Sequence, residues 1–290
     1  MRFPAFVFAL VGLALLTAKS ASADEHLAGV TVDYQYDAKD LHKRERAWWG
    51  RTYLHPSVLG DPDVPRPIVI YLHGINKHFV RYPWMGADGS PDLRAVWDAY
   101  MREGRIAPAV LAAPSTTVSC KLPQALWDGF DLDRFLAHTI QATRDRVRID
   151  LSQVIVIGHS GAGCNHRGGL VTALQSTLPL RGGLVIDVCM EELDASPLAR
   201  ARPGTDVVVT YQRRWQRDFQ SFTTRFLDAS KTNGATGLRQ VEELTILDRN
   251  PHTVIVQQSM DKWLPRWLPP SWPIRDSGSG VAANRDADNR

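Results

Sequence analysis

The feature that most constrains this chain is a set of short apolar runs that do not alternate with polar residues. They are Ile68-Val69-Ile70-Tyr71-Leu72, Ala109-Val110-Leu111-Ala112-Ala113, Val154-Ile155-Val156-Ile157, Gly183-Leu184-Val185-Ile186 and Val207-Val208-Val209-Thr210. A strand with one face in water alternates, whereas a strand covered on both faces does not. Between several of the runs lie helical stripes. Leu93, Val96, Trp97, Tyr100 and Met101 mark one, and Leu132, Phe135, Leu136, Thr139 and Ile140 mark another. Strands alternating with helices of this length imply βα units. The expected fold class is α/β: a central, mostly parallel sheet with helices on both faces, in a single domain. A length of 290 residues suits one full-sized domain, and no internal repeat or low-complexity linker divides it.

The margins of the sheet are less sharply patterned. Val30–Tyr36 alternates weakly and reads as an edge strand, and Trp48–Leu54 is a second candidate ended by His55-Pro56. Phe219–Leu227 has helical spacing. Val241–Leu247 reads as the last strand despite Glu242 and Glu243, because an edge tolerates charge. Met260, Trp263, Leu264, Trp267 and Leu268 then form an amphipathic helical stripe whose last turns Pro265 should disturb. A competing reading makes Thr253–Gln257 the strand.

Residues 1–23 are expected to lie outside the fold. Arg2 precedes an apolar run from Phe3 to Leu16, and Ala21-x-Ala23 follows as a cleavage site, the layout of a secretory signal peptide. The run is shorter than the roughly 20 residues of a membrane span; an uncleaved anchor is the alternative. The expected mature domain is 24–275, secreted or periplasmic, followed by a polar, disordered tail at 276–290. Export permits disulfides, and Cys120, Cys164 and Cys189 allow one bridge whose pairing stays open. A formal charge of +3 is too balanced to indicate a nucleic-acid partner. No stable membrane span is expected after cleavage, and no His/Cys cluster has zinc spacing.

The strongest chemical signal is Val154-Ile155-Val156-Ile157-Gly158-His159-Ser160-Gly161-Ala162-Gly163, an apolar strand running into a serine set among small residues. A serine raised on a sharp strand-to-helix turn takes a strained backbone conformation, so its neighbours must be small. Ala162 stands where the last glycine of G-x-S-x-G is expected, with Gly163 directly after it. The competing phosphate-loop reading lacks both G-x-x-x-x-G-K-[ST] and a clean G-x-G-x-x-G. Upstream, the run Ile68–Leu72 ends in His73-Gly74-Ile75-Asn76. With both motifs in place, the chain resembles the α/β-hydrolase family over roughly residues 30–270.

That resemblance implies a Ser-acid-His order, with Ser160 as nucleophile. It also implies an oxyanion hole made by the turn at Gly74–Ile75 and the backbone N–H of Gly161. Beyond Ser160 there are two histidines. His252 falls after the expected last strand and is the candidate base. His166, six residues from Ser160, reads as lining the site or facing solvent. The acid is open: Asp187 ends the strand after the nucleophile helix, and Asp218, Glu191 and Asp248 are alternatives. A carboxylate in an apolar run needs a partner, which favours Asp187. The loop 75–86 mixes Lys77, His78 and Arg81 with Phe79, Tyr82 and Trp84, which suits either a substrate grip or a loop whose aromatics pack down while its charges face water. The rim is also expected to include 113–117 and 164–167.

The function implied is a serine hydrolase cleaving a carboxylic ester through an acyl-enzyme. It needs neither cofactor nor metal, and its partner is a small-molecule ester or acyl substrate. An acyltransferase or peptidase with the same triad, and a catalytically inactive binding protein on this scaffold, are the alternatives.

Overall fold

The computed structural model describes residues 26–36, 48–87, 91–116, 123–213 and 219–270. The expected signal peptide and tail, Cys120 and Asp218 lie outside them. Among the described residues, eight strands form one sheet: β1 (Val30–Tyr36), β2 (Trp48–Leu54), β3 (Pro65–Leu72), β4 (Val110–Thr116), β5 (Arg148–His159), β6 (Leu180–Ile186), β7 (Asp206–Gln212) and β8 (Arg239–Leu244). Their spatial order is β1-β2-β4-β3-β5-β6-β7-β8. The β1–β2 and β2–β4 pairs are antiparallel, and every pairing from β4 through β8 is parallel. The helices are α1 (Pro56–Leu59), α2 (Leu93–Arg102), α3 (Leu132–Thr143), α4 (Gly169–Leu174), α5 (Glu192–Leu198), α6 (Phe219–Thr232) and α7 (Pro251–Trp267). Among the described residues, no helix is long and apolar enough to cross a membrane.

The non-alternating runs are what a sheet buried on both sides requires. Alternate residues of each central strand enter separate apolar clusters. Ile68, Ile70, Val154, Val156, Val207 and Val209 pack with Phe135 of α3, Leu170 of α4, Leu198 of α5 and Phe222 of α6. Val69, Tyr71, Ile155, Ile157 and Val208 pack with Trp97 of α2 and with Ile255, Met260 and Leu264 of α7. Fully burying one such side chain stabilises by about 1.5–3 kcal/mol.

Two expectations change. The last strand is Arg239–Leu244, two residues earlier at its start than Val241 and ending before Ile246-Leu247. Its length follows β7, since the ladder runs from Val207↔Arg239 to Gln212↔Leu244 and β7 ends there. The competing reading of Thr253–Gln257 as a strand falls and the preferred helix stands, since the segment lies inside α7. Pro265 does not end that helix, which continues to Trp267. Burial of Trp263, Leu264 and Trp267 outweighs the roughly 3 kcal/mol that an interior proline costs.

The strand order sets the location of the site. After β3 the chain moves to one side, to β4, and then crosses back to β5 on the other side. Loops leaving the carboxyl ends of β3 and β5 therefore diverge, leaving a crevice at that edge. Beside it, Cys164 and Cys189 form a disulfide, with Cα atoms 5.1 Å apart. It joins the segment after β5 to the segment after β6, across a sequence separation of 25. Replacing both cysteines by serine is expected to lower the unfolding free energy by about 3 kcal/mol, measured by guanidinium denaturation. A loss under about 1 kcal/mol would mean that the packed strands already hold this edge.

Candidate active site

At the carboxyl end of β5 the backbone turns sharply. Ser160 has φ 55°, in the left-handed region, and opens a 3-10 turn over Ser160–Gly163. That conformation costs an L residue roughly 1–2 kcal/mol. It lifts the hydroxyl out of the strand into the crevice. Small neighbours are a packing requirement here: a Cβ on Gly74 would lie 2.6 Å from the Ser160 Cβ and 3.1 Å from its Oγ. Ala162 is fully buried, so the absent glycine hydrogen is replaced by a methyl group that finds room.

The turn after β3 is held from behind. His73 is buried, its Nδ1 lies 2.7 Å from the Gly74 carbonyl, and its Nε2 accepts the Thr116 N–H at 3.3 Å. These partners require the neutral ring with the proton on Nδ1. Burial pushes the His73 pKa down to about 4, which keeps that form. With the Gly74 carbonyl tied to His73, the N–H of the same trans peptide, that of Ile75, points the opposite way. The Ile75 nitrogen lies 3.5 Å from where a side chain on Gly161 would begin. Two backbone donors thus approach each other beside Ser160. Asn76 stitches the loop further, donating to the carbonyls of Val80 (2.6 Å) and Thr116 (3.0 Å) and accepting from the Val80 N–H.

Asp187 follows β6 directly and is also left-handed, with φ 48°. Its carboxylate is buried and satisfied from two elements. Gln212, the last residue of β7, donates its side-chain Nε2 to Oδ2 at 2.8 Å. The His252 Nδ1 is hydrogen-bonded to the same Oδ2. His252 is the second residue of α7, and its ring is partly open to solvent. Ser160, Gly161, Ile75, Asp187 and His252 line one pocket of about 450 Å³. Its remaining walls are Pro123, Val188, Met190, Phe219, the two bridged cysteines and Glu191.

The other sequence candidates separate from this constellation. Glu191 is exposed at the pocket and precedes α5, its N–H bonded to Asp194. Asp248 is exposed and accepts the Asn250 N–H at 2.7 Å, bracing the turn before α7. His166 pairs with Asp194 at 2.6 Å, outside the lining residues. Residues 113–116, expected on the rim, are instead buried strand residues of β4, because the strand extends further than its apolar run. In the loop after Gly74, Lys77, His78 and Phe79 are exposed, Tyr82 and Met85 are buried, and the Arg81 guanidinium lies 3.9 Å over the Trp49 ring. Only Ile75 of this loop lines the pocket. Among the described residues, no group of three His, Cys, Asp or Glu side chains is placed to hold a metal ion.

Sequence reasoning passed over Gln212 and His159. Gln212 ends the strand beside the one that carries Asp187, and asking what satisfies a buried carboxylate would have pointed to it. His159 stands within the serine motif itself. It is buried, and its Nε2 lies 2.9 Å from the main-chain oxygen of His252.

No protein-family model and no curated protein matches the chain. Solved structures do. A ferulic acid esterase superposes with a TM-score of 0.56 at 13% identity, covering 84% of this chain and 99% of that one. A protein from Capnocytophaga ochracea gives 0.53 at 10% identity, over 83% of this chain and 65% of that one. The apo form of prolyl oligopeptidase B from Galerina marginata gives 0.51 at 13% identity, over 83% of this chain and 37% of that one. At such identities the likeness is one of fold. The chain has the α/β-hydrolase fold.

The buried histidines make stability pH-dependent. Burial depresses the His73 pKa to about 4 and that of His159 well below the ordinary value. The unfolded chain therefore binds these protons first as pH falls. Stability is expected to be full above about pH 6.5 and to fall between there and about pH 4. Urea denaturation across that range should show His73→Asn losing stability less steeply than the parent, by about 1.4 kcal/mol per pH unit.

Proposed function

We propose that this protein is a secreted serine hydrolase, one α/β-hydrolase domain over residues 24–275 with helices covering both sheet faces, that cleaves carboxylic esters. The observation that carries the reading is the buried Asp187 carboxylate bonded to His252 Nδ1 in the same pocket as the strained Ser160. A carboxylate at Nδ1 leaves Nε2 as the basic nitrogen of the ring. Ser160 Oγ attacks the ester carbonyl carbon while its proton passes to His252 Nε2. Asp187 stabilises the resulting imidazolium, and the carbonyl oxygen, now an anion, accepts from the N–H groups of Ile75 and Gly161. The C–O bond to the alcohol then breaks, and His252 returns its proton to the departing oxygen. Water, deprotonated by the same imidazole, attacks the acyl-serine and frees the acid.

Substrate character follows from the pocket walls. Ile75, Pro123, Val188, Met190 and Phe219 make an apolar surface, and among the described residues Glu191 is the one charged wall residue outside the triad. Uncharged apolar acyl groups fit it, and a carboxylate-bearing acyl group would face Glu191. The match to an esterase over nearly that chain's whole length supports an ester in preference to a peptide substrate. Export is supported by the apolar run Phe3–Leu16 and by a disulfide, which forms in oxidising compartments.

A fluorophosphonate probe should label the protein at Ser160 and leave Ser160→Ala unlabelled. Asp187→Asn should fold and lose roughly 10³–10⁴-fold in kcat, as expected when a triad base takes the wrong tautomer. Absence of labelling in folded parent protein would exclude the serine mechanism in favour of a binding role. A second measurement concerns the acyl group. p-Nitrophenyl butyrate and hexanoate should be cleaved at least about 10-fold faster, in kcat/KM, than the succinate half-ester. Glu191→Gln should narrow that gap, and equal rates on all three in the parent would remove the charge argument.

A further inference from the structure

His159 has no part in the chemistry just described, yet its surroundings are unusual for a residue at a strand end. It closes β5 immediately before Ser160, it is buried, and its Nε2 is 2.9 Å from the main-chain oxygen of His252. A carbonyl oxygen only accepts, so Nε2 carries a proton and donates it. The other nitrogen, Nδ1, is buried without a hydrogen-bond partner among the described residues. In the neutral ring that nitrogen is a bare lone pair; a protonated ring would bury an unanswered N–H. Burial also holds the His159 pKa well below the ordinary value, and the neighbouring titratable rings, His252 and His73, lower it further. A valine or leucine here would leave no such orphaned atom. The ring carries that cost, and the hydrogen bond it makes is to the main chain of His252.

That bond reaches the residue that matters most on α7. His252 is the second residue of the helix, and the N-cap, Asn250, makes no side-chain capping bond. A helix start lacking its local cap is prone to fray. Asp187 holds the side chain of His252 at Nδ1, and His159 holds its main chain. The two imidazole rings also pack together, with centroids 4.5 Å apart and planes at 40°. The Trp84 ring also packs against His159, with centroids 5.2 Å apart and planes at 74°. The nucleophile and the base come from elements separated by more than ninety residues. His159, directly before Ser160, is the side chain beside the nucleophile that bonds the main chain of His252.

Building on the serine-hydrolase reading above, we propose that His159 is a positioning residue for the base. Its neutral imidazole donates from Nε2 to the His252 carbonyl, docks the first turn of α7 against the end of β5, and fixes the His252 ring between Asp187 and Ser160. Because it acts on geometry and touches no substrate, its loss should fall on kcat and spare KM.

The test compares three single variants of the full secreted protein with p-nitrophenyl butyrate. His159→Gln keeps an N–H donor at nearly the reach of the histidine Nε2. His159→Phe keeps ring volume and removes the donor. His159→Asn keeps an amide but stops short of the carbonyl. Phe and Asn variants are expected to lose about 10²-fold in kcat, with KM within about threefold of the parent. The Gln variant should recover to within about 10-fold of the parent. Should the Phe variant not fold, the Asn–Gln pair carries the comparison alone. Parent-like kcat in the Phe or Asn variant would overturn the proposal, as would an equal loss in Gln and Asn variants, which would mark a packing role only. Fluorophosphonate labelling of the parent is run alongside. If the parent does not label, the serine-hydrolase reading fails first and this inference with it; if it labels and the pattern above is absent, only the role of His159 falls.

Discussion

A carboxylate buried at the end of a central strand cannot be left without partners, because an ionised group removed from water loses several kcal/mol of solvation. Asp187 is such a group. Its answer comes from Gln212 at the end of β7 and from His252 at the start of α7, so one buried charge ties together three elements that are distant in sequence. The arrangement also explains the placement of α7. The helix packs Ile255, Met260 and Leu264 onto the sheet, and that packing presents its second residue to Asp187. Apolar burial supplies the energy of docking, and the carboxylate takes the ring of the helix's second residue.

Strain is concentrated at the same edge. Ser160 and Asp187 both hold left-handed backbone angles, each costing of the order of 1–3 kcal/mol. They terminate neighbouring parallel strands, β5 and β6, and the Cys164–Cys189 bridge joins the segments just beyond them. Strained turns persist only where their surroundings over-determine them. Here the ladders below and the covalent link above do so. The same bridge forms part of the pocket wall, so it shapes the cavity as well as holding its floor.

Around this pair the histidines divide their work by environment. His73 and His159 are buried and kept neutral, and each spends a ring nitrogen on a backbone carbonyl: Gly74 for one, His252 for the other. His252 is the ring left partly open to solvent. The two buried rings orient the backbone on either side of the crevice, one beside the prospective oxyanion donors and one beside the prospective base. Both buried rings thus bond backbone carbonyls beside the pocket that Ser160 and His252 line.

Much of the framework was legible from local pattern. Non-alternating apolar runs marked strands covered on both faces, the stripe at 260–268 marked α7, and the small residues around Ser160 marked a tight turn, because each depends on near neighbours in the chain. The end of β8, the persistence of α7 through Pro265 and the strand character of 114–116 were not, since each depends on how far a partner strand runs or how deeply a face is buried. The same limit held at the site. A tight turn at Ser160 and a histidine beyond the last strand were legible from motif and order, and the apolar run favoured Asp187 among the carboxylates. The bond between Asp187 and His252, the pairing of cysteines and the contacts of Gln212 and His159 came only from the sheet order that brings the ends of β5, β6 and β7 together. Periodicity records what a residue meets within a few positions of itself. Partners 65 or 93 positions away are set by which strands lie side by side, and that is decided by packing of the whole chain.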